Sequence, residues 1–166
     1  MATETGKKEY LALLNRTERY AEQVRKLFAV AVNDILALTS SVPHLDDGEV
    51  FRYSEQKKIA KKVSDRIRNL HSAVYAAIKN DITLEWDEAN TACDELAVSC
   101  FGKEILSDKR FAGWFERNTE AMEAFISRSE AGLNLSDRIW QPVKQLRSEM
   151  ELAMTCLLYT SPSPRD

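Results

Sequence analysis

Glycine and proline are scarce, five and four in 166 residues. Two of the prolines, Pro162 and Pro164, fall in the last five positions, so little before them interrupts regular structure. No stretch reaches the ~18 consecutive apolar residues that a bilayer-spanning helix needs. The start, Met1 to Lys8, has no apolar segment behind its basic residues and does not read as a secretory signal. A cytoplasmic setting with no membrane partner is therefore the expectation, and the triplets beginning at Asn15 and Asn134 carry no glycosylation argument. A formal net charge of −3 is too small to advertise nucleic acid or a membrane as the main partner of the whole chain.

The usual catalytic kits are also missing. There is no Gly-x-Ser-x-Gly elbow, phosphate-cradling glycine loop, His-Glu-x-x-His pair or Cys-x-x-Cys. His44 falls in a loop and His71 within a helical pattern, neither with a second His or Cys at ligand spacing, so both read as surface or satisfied histidines. A di-iron bundle would need Glu-x-x-His, and Arg68 stands where the Glu before His71 should be. No enzyme activity, metal, cofactor or small-molecule substrate is expected of residues 1–155.

What is present is helical material: 44% hydrophobic and 30% charged residues, enough for one soluble all-α domain of about five helices. From Lys7 to Leu38 the positions Tyr10, Leu14, Thr17, Ala21, Val24, Phe28, Ala31, Ile35 and Leu38 step by three and four, the period of one helical face. Such a helix is long for a small domain and should pair along its length with a second one, in a long antiparallel N-terminal pair packed with three shorter helices. Its polar face mixes Arg16, Glu18, Arg19, Glu22, Arg25 and Lys26, as solvated faces do. Thr39 to Tyr53, with Pro43, Asp46, Asp47 and Gly48, reads as the main loop. Its acidic run lacks the alternating oxygen ligands of a calcium loop.

Ser54 is placed to cap a second helix running through Ile59, Val63, Ile67, Leu70, Val74 and Ile78 to about Lys79. Lys57, Lys58, Lys61, Lys62, Arg66 and Arg68 give it a basic first half, a candidate contact for nucleic acid or another acidic surface. No aromatic residues interleave that run for base stacking; a solvated face is the plainer reading. A third helix, capped by Thr83 and stopped by Gly102, uses Leu84, Trp86, Ala89, Cys93, Leu96 and Cys100 as its apolar face. The two cysteines lie about 10 Å apart along such a helix, beyond the ~7 Å limit for a disulfide, and read as small core residues. Leu106 to Arg128 forms a fourth helical region, broken near Gly113 or Asn118 and ended by Gly132. A fifth starts around Ser136 and buries Ile139, Trp140, Val143, Leu146, Met150 and Met154. Pro142 either kinks this helix or sits in the first turn of one beginning near Gln141.

The final string Cys156 to Asp166, CLLYTSPSPRD, departs in composition from what precedes it and resembles the translation of a transposase mosaic-end sequencing adapter. The expectation is a disordered, non-native tail, with the true reading frame continuing beyond Thr155 and residues 1–155 forming the helical N-terminal part of a longer protein.

Two runs carry a family resemblance: Arg117-Asn118-Thr119-Glu120-Ala121-Met122-Glu123-Ala124-Phe125 and Gly132-Leu133-Asn134-Leu135-Ser136-Asp137-Arg138-Ile139-Trp140. They resemble the MuF-type phage head-morphogenesis proteins, in particular those of Bacteroidales prophages, and the long N-terminal helices and the Trp86 segment are similar to the same group. The resemblance implies a minor capsid protein, present in few copies in the virion and made in the bacterial host. Its partners would be portal and capsid proteins, and its work head assembly, genome packaging or DNA delivery. Arg117, Asn118, Leu135, Ser136, Asp137, Arg138 and Trp140 would then be structural motif residues. The alternative is a helical binding module that contacts nucleic acid through the Lys57–Arg68 face.

Overall fold

A computed structural model describes residues 4–40, 53–111 and 113–159. It comprises α1 (Glu4–Ser40), α2 (Tyr53–Phe101), α3 (Lys103–Leu106), a 3-10 turn (Lys109–Phe111), α4 (Thr119–Ser127) and α5 (Leu135–Tyr159). Among the described residues there is no strand, only an isolated bridge between Glu130 and Leu133. The all-α expectation holds, with five helices and a long α1 packed against α2, but the segments are divided differently.

The largest difference is α2. The second and third helices expected from the sequence are one element of 49 residues. No glycine or proline occurs between Gly48 and Gly102, so the polar stretch Asn80–Thr83 has nothing that forbids helical backbone. Thr83 is not a cap: its hydroxyl donates back to the carbonyl of Lys79 at 3.0 Å, which satisfies it inside the helix. Gly102 ends α2 at φ +78, the left-handed conformation glycine reaches without a Cβ clash, and its N–H bonds the Val98 carbonyl at 2.9 Å.

Beyond it, the expected fourth helix is reduced to the single turn α3, the 3-10 turn and the nine-residue α4. Asp108 begins the break. Its carboxylate accepts from the backbone N–H of Arg110 at 2.9 Å and from its Nε at 3.1 Å, a local turn that competes with helix. These bonds hold the Asp108 carboxyl below its ordinary pKa. The end of α4 is Ser127, so Gly132 does not terminate it. Instead Ala131 (φ 52) and Gly132 (φ 78) form the centre of a tight turn closed by paired backbone bonds between Glu130 and Leu133, 2.9 and 3.0 Å. Helix α5 begins at Leu135 and runs through Pro142, so the alternative start near Gln141 is not taken. Four residues of the suspected tail, Cys156 to Tyr159, are helical; residues 160–166 lie outside the described residues. Of the expected main loop Thr39 to Tyr53, Thr39 and Ser40 belong to α1 and Tyr53 opens α2, while 41–52, with His44 and the acidic run, also lie outside the described residues.

The chain divides into two compact units: Met1–Tyr75 with Ser136–Asp166, and Ala76–Leu135. In the first, Ala31 and Ile35 of α1, Val63, Ile67, Leu70 and Val74 of α2, and Ile139 and Val143 of α5 are buried. Arg66 of α2 reaches Asp34 of α1 at 3.6 Å. These are the residues the three-and-four period selects, and burying a Leu, Ile or Val side chain contributes about 1.5–3 kcal/mol. The second unit buries Ala77, Ala97, Leu106, Met122 and Ile126, and, against its polarity, Asp81. Within it Lys79 reaches Glu123 at 3.3 Å. Of the face expected for the third helix, Leu84, Ala89, Cys93, Leu96 and Cys100 are exposed and Trp86 is half-buried. Ala97 is the buried residue of that stretch instead.

Candidate interaction surfaces

Three features stand out: the basic face of α2, the motif segment around α4 and α5, and an uncovered apolar stripe on α1.

Lys57, Lys58, Lys61 and Lys62 are exposed on the first turns of α2. At about 100° per residue their mean direction lies about 180° around the helix from that of the buried Val63, Ile67, Leu70 and Val74. The two arginines behave differently. Arg66 is tied to Asp34 of α1, and Arg68 to Asp65 one turn back. The six residues grouped in the sequence are thus four lysines that make no ion pair with any described residue, and two arginines that already have carboxylate partners. Segment 55–68 holds six basic residues against Glu55 and Asp65, in a chain of net −3.

The motif residues hold backbone in place. Arg117 donates to the Asp94 carboxylate at 2.7 Å and to the Thr91 hydroxyl at 3.4 Å, anchoring the approach to α4 onto α2. Asn118 is the N-cap of α4, its Oδ1 accepting from the Ala121 N–H at 2.9 Å, a contact whose loss typically costs ~1 kcal/mol. Leu135 opens α5 half-buried, and Asp137 places negative charge in its first turn, where the helix dipole favours it. Arg138 is exposed. Ser136 and Trp140 converge on His71 of α2. The His71 Nε2 lies 3.2 Å from both the Ser136 carbonyl and its hydroxyl, and the Trp140 ring stands edge-on at 4.8 Å and 85°. His71 is therefore a satisfied histidine, as the sequence suggested, and also the seat on which the Leu-Ser-Asp-Arg-Ile-Trp segment rests. Only the pairing partner was invisible, since it lies 65 positions away.

No family model, curated protein or solved structure matches the chain. The surfaces themselves are the basis for reading it. Among the described residues no group of three or more His, Cys, Asp or Glu is placed to hold a metal ion. Also among the described residues, no helix is long and apolar enough to cross a membrane.

The third feature was not anticipated. Leu13 lies in line with Ala31 on α1, about five turns earlier, Tyr10 lies within about 20° of the Ile35 direction, and Leu14 about 60° beyond it. Yet Ala31 and Ile35 are 8% and 0% exposed, whereas Tyr10, Leu13 and Leu14 are 60%, 43% and 45% exposed. One helical stripe is core at one end and open at the other. Periodicity reports that a face is apolar; it does not report what covers it.

Proposed function

We propose that this chain is a structural assembly protein of the phage head-morphogenesis type, which binds portal and capsid proteins and transforms no substrate. The observation that carries the reading is the α1 stripe, buried at Ala31 and Ile35 and open at Tyr10, Leu13 and Leu14. An apolar helical face left to solvent is energetically unfavourable for an isolated molecule and is what a helix offered to a large partner requires. The resemblance of the Arg117–Phe125 and Gly132–Trp140 runs supplies the class of partner. Among those residues, Arg117 and Asn118 fix the start of α4, and Ser136 and Trp140 meet His71.

The test is co-expression of this chain with the portal protein of the same phage. Co-purification that is lost on Leu13→Asp with Leu14→Asp, while helicity by circular dichroism is retained, is the expected result. The protein should also appear by mass spectrometry in purified particles. Absence from particles, no portal association, or a turnover measured on the purified chain would sink the reading.

A further inference from the structure

We infer that Lys57, Lys58, Lys61 and Lys62 form a contact surface for the phosphate backbone of double-stranded nucleic acid, separate from the apolar stripe of α1. This rests on charge distribution and stands independently of the portal reading.

The four lysines occupy the side of α2 that points away from its own core residues, so none of them serves packing. Lys57 and Lys58 precede Lys61 and Lys62 by four positions, which sets two cationic pairs about 6 Å apart along the helix. Asp65, the acidic side chain that follows them on that side, is engaged by Arg68, which leaves the lysine field without a described counter-charge. The contrast with the remainder of the molecule sharpens the case. Segment 55–68 has an excess of four positive charges, so the rest of a chain of net −3 carries −7. The lysine cluster is thus a local positive region in a chain whose remaining residues are net acidic.

The same residues specify the mode of contact. Lysine is a point charge on a flexible stem, suited to phosphates and unable to read a base edge bidentately as arginine does. No aromatic side chain lies between Lys57 and Lys62 to stack an unpaired base. The expected behaviour is therefore sequence-independent duplex binding with an affinity on the order of 10⁻⁴–10⁻⁶ M. With four phosphates neutralised, the slope of log K against log salt should be about −3.6.

Fluorescence anisotropy of the full chain with a random-sequence DNA duplex, titrated across salt, tests this. The expected result is a slope of about −3 to −4. It should fall towards zero, with at least a tenfold weaker affinity at low salt, when all four lysines become Gln. Arg66→Gln with Arg68→Gln, checked for retained helicity, should leave the slope within about one unit, because those side chains have protein partners. The inference is overturned if the lysine variant binds as the parent does, if the arginine variant alone abolishes binding, or if a single strand of equal length binds much more tightly than the duplex. Equal binding to anionic phospholipid vesicles or to polyglutamate also overturns it, since it would reduce the surface to a general cationic patch.

Discussion

Ile35 is 0% exposed in α1, in the unit that also buries Val63, Ile67, Leu70, Val74, Ile139 and Val143. Ile35→Ala removes three carbons from a site with no solvent to refill it. At ~0.8 kcal/mol per buried methylene the transfer loss is about 2.4 kcal/mol. Incomplete collapse of the neighbouring helices adds a cavity cost, bringing the expected loss to about 3–4 kcal/mol, within the range of ~2–5 for Ile→Ala in packed cores. A domain of this size has ~5–15 kcal/mol in all, so the variant should lose a large part of its stability. Urea unfolding followed by circular dichroism would read this as a lower midpoint at unchanged slope. Leu11→Ala, on the same helix but 48% exposed, is the control and should change stability by less than about 0.5 kcal/mol. A loss below ~1 kcal/mol at Ile35, or equal losses at both positions, would refute the assignment of the core to this end of α1.

Two further outcomes follow from backbone strain and from a buried charge. Ala131 holds φ 52 beside Gly132 in a turn where both central residues are left-handed; Ala131→Asn supplies the Asn-Gly pair such turns favour and should raise stability by about 0.5–1 kcal/mol in the same urea assay. A loss of stability would count against the turn. Asp81 has its pKa raised, first by burial and further by Glu85, with a hydrogen bond from Asn80 opposing. Its folded pKa lies above its unfolded one, so the folded state holds the proton longer and this group's contribution falls as pH rises through that window. Asp81→Asn should therefore raise the melting temperature at pH 7 more than at pH 4; the reverse order would overturn this account.

The core of the first unit was legible because its buried faces on α1, the first half of α2 and α5 repeat at three and four. Val63, Ile67, Leu70 and Val74 appear in sequence as they appear in the core. The boundaries were less so. Asn80 and Thr83 look like an end and a start because such residues favour caps, but without a glycine or proline their preference costs only a few tenths of a kcal/mol each, and tertiary packing overrides it. The reverse happened after Leu106, where Asp108 captured three Arg110 nitrogens and stopped a helix that hydrophobic spacing alone would continue. Cys93 and Cys100 were expected in a core and are exposed, and Ala97 is the buried residue of that stretch of α2. Of the candidate surfaces, the lysine cluster could be read from composition. Its separation from Arg66 and Arg68 needed the partners Asp34 and Asp65 to be seen in space.

The outward position of Cys93 and Cys100 has a practical side. Two solvent-facing thiols, about 10 Å apart on one rod, are open to reagents and to air. Oxidised preparations will join molecules through sulfur, and such pairs can pass for genuine assembly in a sizing column. Any oligomer attributed to this chain should therefore survive a reductant. The same two thiols are natural handles for a bifunctional probe, reporting on partner docking without a single engineered residue.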